Sequence, residues 1–361
     1  MLKRTAENAL WMNRYRVRAE VQSRLLAQHF TNLLDRPRRS VNPDNLGEHI
    51  ESWEPCLIVA GIETDERTSR DSNQPNALRM LVSDRQGERS IAALLRQVHI
   101  NLRCCRDFLD QTLFENLNHM CMHGGQVLSI NLNSAALIAL LHELNTEMMA
   151  INGIIEHRMP HSHVYQFLKL GELLERCEMA IRLIQMCEDE CFRETPRLQL
   201  INDKTEKSNI GTQQHPPRSA VSRERVRWLA QATLGAATPD LGNSGSNRKE
   251  LPAPGGVDLN LVNTLIRDRT QPQSLAFCLL QLQMVLDQLD EKQPAATQCR
   301  ELTKRVIYID DVSRNALSRD RLLDLMDDYQ LQIAQLYDHI HQRYMRGSDV
   351  AEFSDRQQAS G

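Results

Sequence analysis

The sequence predicts an all-α protein, a duplicated helical bundle of about eight to ten helices in two pseudo-repeated halves. Three observations predict this class. Long stretches lack both glycine and proline, only 4% of the 361 residues are aromatic, and one charge pattern occurs twice. Strands favour aromatic and β-branched residues, whereas the abundant Leu, Ala, Arg, Glu and Gln are good helix formers. A pattern repeated on this scale is typical of a duplicated helical unit.

The charge pattern consists of an arginine, a glutamate two residues later and a second arginine four residues after that. It is formed by Arg18, Glu20 and Arg24, and again by Arg176, Glu178 and Arg182. On a helix the glutamate and the second arginine share a face within pairing distance. Solvated ion pairs, an internal network between the two halves, or a substrate site would each explain the repetition.

A second repeat supports duplication. Asp84 is followed six residues later by Ser90, and Asp268 is followed six residues later by Ser274. Each serine precedes an apolar helical pattern, and serine is a favoured residue at the N-cap of a helix. Both serines are therefore predicted to begin helices.

Glycine and proline divide the N-terminal part into helices. Residues 1–36 contain neither and predict one long helix that ends before Pro37. Residues 53–61 predict a short apolar helical turn. Residues 90–123 predict helix up to the diglycine Gly124-Gly125, which favours a helix terminus.

The next helical stretches continue this pattern. Residues 134–152 predict a helix ending at Gly153, and residues 162–191 predict the helix with the second charge pattern. Residues 295–346 again lack glycine and proline, with a predicted break near 310–318.

Composition predicts four segments. Residues 1–202 form an N-terminal helical half and residues 257–346 a C-terminal helical half. Between them, residues 203–256 are rich in Gly, Pro, Ser and Asn, which predicts a flexible polar insertion with a short helix near 222–234. Residues 347–361 predict a disordered tail.

Charge and cysteine content narrow the function classes. A net charge of −4 gives no general attraction to nucleic acid or to anionic membranes. The nine cysteines form no Cys-x-x-Cys pair, the N-terminus lacks the apolar core of a signal peptide, and apolar runs are too short to span a membrane. We therefore expect a cytoplasmic protein with reduced thiols. Its oligomeric state is left open.

Two histidine clusters contain ligand types that zinc accepts. The clusters are His119, Cys121 and His123, and His157, His161 and His163. A helix would place Cys121 opposite the two histidines of its cluster, and the second cluster lacks carboxylate or thiol companions, so neither predicts a metal site. No nucleotide-binding or nucleophile motif occurs, so no cofactor and no catalytic residue is predicted.

Several motifs resemble those of the bacterial alpha-E domain family. They are Arg4 to Asn8 with Trp11 and Arg14-Tyr15, Trp53-Glu54-Pro55, the Asp84 to Ser90 segment, Phe167 to Gly171 with Leu174-Glu175-Arg176, and residues 274–289. Three positions depart from the family pattern: Val17 precedes Arg18 where the family has a Glu-Arg pair, Glu172 stands where the family has an arginine, and Cys177 replaces a typical alanine.

This resemblance implies an all-helical fold of uncharacterised biochemical function. It also implies association with circularly permuted ATP-grasp ligases and with transglutaminase-like peptidases. The favoured hypothesis is therefore a non-catalytic helical partner or accessory subunit of an ATP-grasp ligase that forms amide bonds in peptide or small-molecule biosynthesis.

The alternative hypothesis is an enzyme with a charged pocket for an acidic or amino-acid-like substrate. Its lining would be the repeated charges and their neighbours, namely Arg14, Arg18, Glu20, Arg24, Glu175, Arg176, Glu178 and Arg182. Charged side chains that converge in a cleft would favour the enzyme, whereas dispersed solvated pairs would favour the partner protein.

Overall fold

The computed structural model describes residues 3–35, 53–62, 74–128, 134–193, 264–290, 292–308 and 319–345. Every regular element within these ranges is helical, which confirms the predicted all-α class. In chain order the helices are α1 (Lys3–Asp35), α2 (Glu54–Ala60), α3 (Gln74–Leu78, continued by a π-helical turn Arg79–Ser83), α4 (Ile91–Cys105), α5 (Gln111–Val127), α6 (Ser134–Arg158), α7 (His163–Arg193), α8 (Leu275–Asp290), α9 (Pro294–Ile307) and α10 (Arg319–Tyr344). The predicted insertion 203–256 and tail 347–361 lie outside the described residues.

The two longest described helices, α1 and α7, form the centre of the fold and make the most extensive helix–helix contact. Helix α1 also packs against α4 and α6, with α5 contacting both of those helices. Helix α7 also packs against α8 and α10, with α9 contacting both of those. Each central helix thus carries its own group of three helices.

The backbones of α1 and α7 approach each other closely where α7 carries a glycine. A Cβ atom at Gly171 would collide with the backbone carbonyl oxygen of Leu10 and would lie 3.1 Å from its Cα atom. Nearby, the side-chain amide of Asn13 on α1 donates a hydrogen bond of 2.8 Å to the carbonyl oxygen of Leu168 on α7. Side-chain volume at position 171 would therefore force the two helices apart.

The two predicted N-cap serines begin helices as expected. The Ser90 hydroxyl accepts from the backbone N–H of Ala93 at 3.1 Å and donates to the carbonyl oxygen of Asp84. The Ser274 hydroxyl accepts from the backbone N–H of Phe277 at 3.1 Å, and it donates to the Asp268 carbonyl oxygen. Helices α4 and α8 thus begin with the same pair of side-chain hydrogen bonds.

Two predicted helix ends are wrong. Helix α5 continues through Gly124-Gly125 to Val127. A Cβ atom at Gly124 would lie 3.0 Å from methyl carbons of both Leu95 and Leu144, so this glycine allows α5 to pack tightly between α4 and α6. Helix α6 likewise continues through Gly153 to Arg158.

The long run over residues 90–123 is interrupted, which the absence of glycine and proline did not indicate. Helix α4 ends at Cys105, and α5 begins after Asp110, whose carboxylate accepts from the backbone N–H groups of Thr112 and Leu113 at 2.9 and 3.2 Å. An aspartate N-cap can thus begin a new helix inside a run that lacks glycine and proline.

Candidate functional site

A fully buried carboxylate joins the two central helices. Glu175 on α7 has 0% of its side chain exposed. Arg18 on α1 donates to both of its oxygens, from Nε at 2.6 Å and from Nη2 at 2.9 Å. Arg14, also on α1, donates from Nε at 3.0 Å. Because charge-assisted bidentate pairs are among the strongest hydrogen bonds in proteins, this cluster fixes α1 against α7.

One turn further along α7, Glu178 is shared by three arginines. The Nη2 atom of Arg14 donates to Glu178 at short range. Arg18 and Arg182 approach it less closely, with Nη2 atoms at 3.8 and 3.9 Å from Oε2. The negative charge of one carboxylate therefore lies among the positive charges of three arginines at this end of the interface.

A second group of charges surrounds Glu20 on α1. Its carboxylate lies 3.3 Å from Nη1 of Arg16 and 3.7 Å from Nη2 of Arg24. The Nε atom of Arg16 donates to the Asn13 side-chain oxygen at 2.5 Å. Arg16 is only 1% exposed, so a complete guanidinium group lies inside the bundle.

Glu172 on α7 forms the centre of the remaining pairs. It accepts from Nη2 of Arg176 at 2.8 Å and from Nζ of Lys169 at 2.9 Å. Burial alone would raise the pKa of Glu172, but the positive charges of Arg176 and Lys169 lower it by a larger amount. The resulting pKa is about 2. The pKa of Glu175 is also lowered, because Arg18 and Arg14 outweigh the effect of its burial. Both carboxylates are thus ionised at neutral pH.

The network contains more guanidinium groups than carboxylates. Three buried guanidinium nitrogens have no hydrogen-bond acceptor in the described part of the chain, namely Nη2 of Arg16, Nε of Arg24 and Nη1 of Arg182. Burial lowers the pKa of all three arginines. Uncompensated buried cations are energetically unfavourable, so these groups would gain from a further negative partner.

The predicted site residues, which are the repeated charges and their neighbours, lie at or beside the contact between α1 and α7, and each takes part in ion pairing. These residues are Arg14, Arg18, Glu20, Arg24, Glu175, Arg176, Glu178 and Arg182. The repeat did not indicate Arg16 or Lys169, because neither has a charged counterpart at the matching position. Glu172 was visible only as a departure from the family pattern.

The histidine clusters take other roles. No group of three or more His, Cys, Asp or Glu residues within the described ranges could hold a metal ion. The rings of His119 and His123 stack at 5.6 Å between centroids, and Nδ1 of His119 lies 3.3 Å from Glu147. His161 stacks on Tyr165 at 4.3 Å.

Most described cysteines are buried and protonated. Burial raises the pKa of four thiols to about 12, those of Cys56, Cys105, Cys121 and Cys299. Thiols with such pKa values are poor nucleophiles at neutral pH, because the thiolate is the reactive form. Cys104 is exposed, and the side chains of Cys187 and Cys191 lie outside the described residues.

Together these features define a class: an all-helical protein whose two central helices are joined by buried arginine–glutamate pairs. A family model described as a predicted alpha-helical domain with a conserved ER motif, Alpha-E, matches residues 1–204 and 257–345, and the chain belongs to that family. The match confirms the resemblance found in the sequence, and Glu175-Arg176 is a Glu-Arg pair within the network. No curated protein and no solved structure matches the chain significantly. None of the described helices combines the length and apolar character needed to cross a membrane.

Proposed function

We propose that this chain is a non-catalytic helical partner of a bacterial, cytoplasmic ATP-grasp ligase that forms amide bonds in peptide or small-molecule biosynthesis. A transglutaminase-like peptidase would belong to the same system. The partners follow from the family resemblance. The structural support is that the repeated charges are mainly engaged with one another.

That pairing is the observation on which the proposal depends. Both oxygens of Glu175 are occupied by Arg14 and Arg18, and the side chain has no exposed surface. A substrate would have to break these hydrogen bonds to reach the carboxylate, at a cost of several kcal/mol. The simplest role for Glu175 is therefore to set the register between α1 and α7.

We also propose that the chain arose by internal duplication. In this scheme α1 with α4, α5 and α6 corresponds to α7 with α8, α9 and α10. The corresponding helices have the same pattern of neighbours, and Ser90 and Ser274 make equivalent hydrogen bonds at the starts of α4 and α8. The α1–α7 contact would then be the interface between the two copies.

The alternative enzyme receives less support. A surface cavity of about 390 Å³ is lined by Tyr337, Asp338, His341 and Gln342. It lies near the network, since the Arg14 guanidinium carbon is 5.5 Å from the centre of the Tyr337 ring. Its lining includes none of the eight repeated or neighbouring charges, so this cavity is not the pocket that the alternative requires.

The test is reconstitution of the full-length chain with a circularly permuted ATP-grasp ligase from the same organism, the partner that the family resemblance implies. We expect the two proteins to co-purify, and we expect the chain to change the rate at which the ligase consumes ATP. The chain alone should consume no ATP. Absence of both the complex and the effect on the ligase would refute the proposal.

A pair of variants separates the partner from the enzyme. Arg24 lies in the network, and its closest carboxylate contact is at 3.7 Å, so Arg24→Gln should fold. Arg96 is an exposed arginine of α4, and Arg96→Gln removes the same charge from the surface. If the chain is a partner, both variants should affect the ligase as the unmodified chain does. Loss of the effect with Arg24→Gln alone would favour the enzyme.

A further inference from the structure

The end of α2 lies against two arginines from distant parts of the chain. Helix α2 ends at Gly61, which has the left-handed φ of 70° that favours glycine. A Cβ atom at this position would collide with Nη1 of Arg89 and with Nη1 of Arg182. The first arginine directly precedes the N-cap of α4, and the second lies on α7. Two guanidinium groups therefore pack against Gly61, with their Nη1 atoms close to one another.

The positive charge of Arg182 is only partly compensated. The pKa of Arg182 is lowered first by burial, and then by the positive charge of Arg18, with a smaller contribution from Arg89. The nearest carboxylate is Glu178, at 3.9 Å from Nη2 of Arg182. Since Glu178 is also the partner of Arg14, it compensates only part of this charge.

Two of these arginines have unused hydrogen-bonding capacity. Nη1 of Arg182 is buried and finds no acceptor within the described ranges. Arg89 is exposed and forms no ion pair with any described residue. Because the two Nη1 atoms lie close together, an anion held by the exposed Arg89 would come near the buried nitrogen of Arg182.

We propose that Arg89 and Arg182 form a binding site for the oxyanion group of a small molecule, either a phosphate or a carboxylate. Guanidinium groups present planar pairs of N–H donors that match both oxyanions. An anion would relieve the mutual repulsion of these two neighbouring cations and would supply the acceptor that Nη1 of Arg182 lacks. This site goes beyond the partner function and does not depend on it.

The glycine at position 61 is part of the site. Because a side chain there would collide with both Nη1 atoms and displace them, Gly61→Ala should impair binding without removing any charge. The variant also places alanine at a positive φ, which strains the backbone. Its thermal stability must therefore be measured beside its affinity.

The test is isothermal titration of the full-length protein with inorganic phosphate and, separately, with glutamate, at low ionic strength. We expect saturable binding of at least one of these anions. Arg89→Gln should weaken it about tenfold or more, the range expected for loss of one charged partner. Arg96→Gln removes an equally exposed arginine from the same region of the chain and should change affinity by less than about twofold.

The two anions distinguish the sources of the oxyanion. Binding of phosphate alone would identify a phosphorylated ligand, and binding of glutamate alone would identify a carboxylate ligand. Arg89→Lys should restore part of the affinity, because lysine keeps the charge but lacks the planar pair of donors. The proposal would be overturned by absence of binding for both anions, or by equal weakening in Arg89→Gln and Arg96→Gln. Co-purification with the ligase is measured independently, so either proposal can fail alone.

Discussion

Helices α1 and α7 carry the same charge pattern but pair their charges differently. When the pattern is aligned, Val17 on α1 matches Glu175 on α7. Arg18 therefore finds a buried carboxylate across the interface. Its counterpart Arg176 has no such carboxylate at the matching position of α1, which is Val17, and pairs with Glu172, one turn earlier on its own helix.

A second pair of matched positions differs in the same complementary way. Asn13 on α1 reaches across to the carbonyl oxygen of Leu168, whereas the matching Gly171 on α7 leaves room for the carbonyl group of Leu10. In these contacts across the interface, α1 supplies the hydrogen-bond donors, and α7 supplies the acceptors and the space at Gly171. The charge spacing that the two helices share therefore places residues at the interface. The few positions at which the two helices differ decide which pairs form.

The largest effect should follow from removing the carboxylate of Glu175, which has no counterpart on α1. Glu175→Gln keeps the volume but removes the negative charge and replaces one of the two acceptor oxygens by an NH2 donor that faces the arginines, so we expect the free energy of unfolding to fall by about 3–5 kcal/mol. Chemical denaturation measures this change. As a control, Glu301→Gln removes an exposed partner of Lys304 and should cost less than about 1 kcal/mol. If both variants lost a similarly small amount of unfolding free energy, the ion pairs of Glu175 would contribute little to stability.

Acid should weaken the interface in a defined pH range. The pKa of Glu172 is about 2 in the folded protein, below its value of about 4.3 in unfolded chains. Its contribution to stability is therefore present above about pH 4.3 and is lost as pH falls toward 2, by about 3 kcal/mol in total. Denaturation curves between pH 7 and 2 should show a smaller acid-induced loss for Glu172→Gln. An identical pH dependence would contradict the pairing of Glu172.

The close approach of the central helices predicts opposite effects at two glycines. Gly171→Ala should destabilise by about 1–3 kcal/mol, because the new methyl group would collide with the backbone of α1. Gly153→Ala, also in a helix interior, meets nothing within 4 Å and should stabilise by up to about 1 kcal/mol. Thermal unfolding of the two variants compares them directly. If both variants were more stable than the unmodified chain, α1 and α7 would be packed less tightly at Gly171 than the structure indicates.

The smallest effects test the equivalence of the two caps. Ser90→Ala and Ser274→Ala each remove a helix cap, and each should cost about 1 kcal/mol. Because the hydrogen bonds are the same, we expect the two costs to agree within about 0.5 kcal/mol. A large cost at one serine and none at the other would weaken the proposed correspondence of α4 and α8.

Local signals in the sequence were sufficient for much of the fold. The caps at Ser90 and Ser274 and the end of α2 at Gly61 each depend on a few neighbouring residues. The glycine at 124 was misleading, because its role is to admit Leu95 and Leu144 from other helices. Local composition cannot separate a glycine that ends a helix from one that permits close packing.

The site was only partly predictable for a similar reason. The repeat located the charged residues, but it could not show that Glu175 would be fully buried or that Arg18 would bind it from another helix. Arg89 was not indicated at all, because its position opposite Arg182 arises from the packing of α2 between distant segments. Pairing across an interface depends on tertiary register, which spacing along one helix does not specify.

The most direct test of the pairing between α1 and α7 is a double-mutant cycle between Arg18 and Glu175. Stability is measured by chemical denaturation for the unmodified chain, Arg18→Gln, Glu175→Gln and the double variant. If the buried pair fixes α1 against α7, the double variant should be less destabilised than the sum of the single variants, with a coupling energy of about 1.5 kcal/mol or more. Additive effects, within about 0.3 kcal/mol, would contradict the conclusion that these residues form a structural pair between the two central helices.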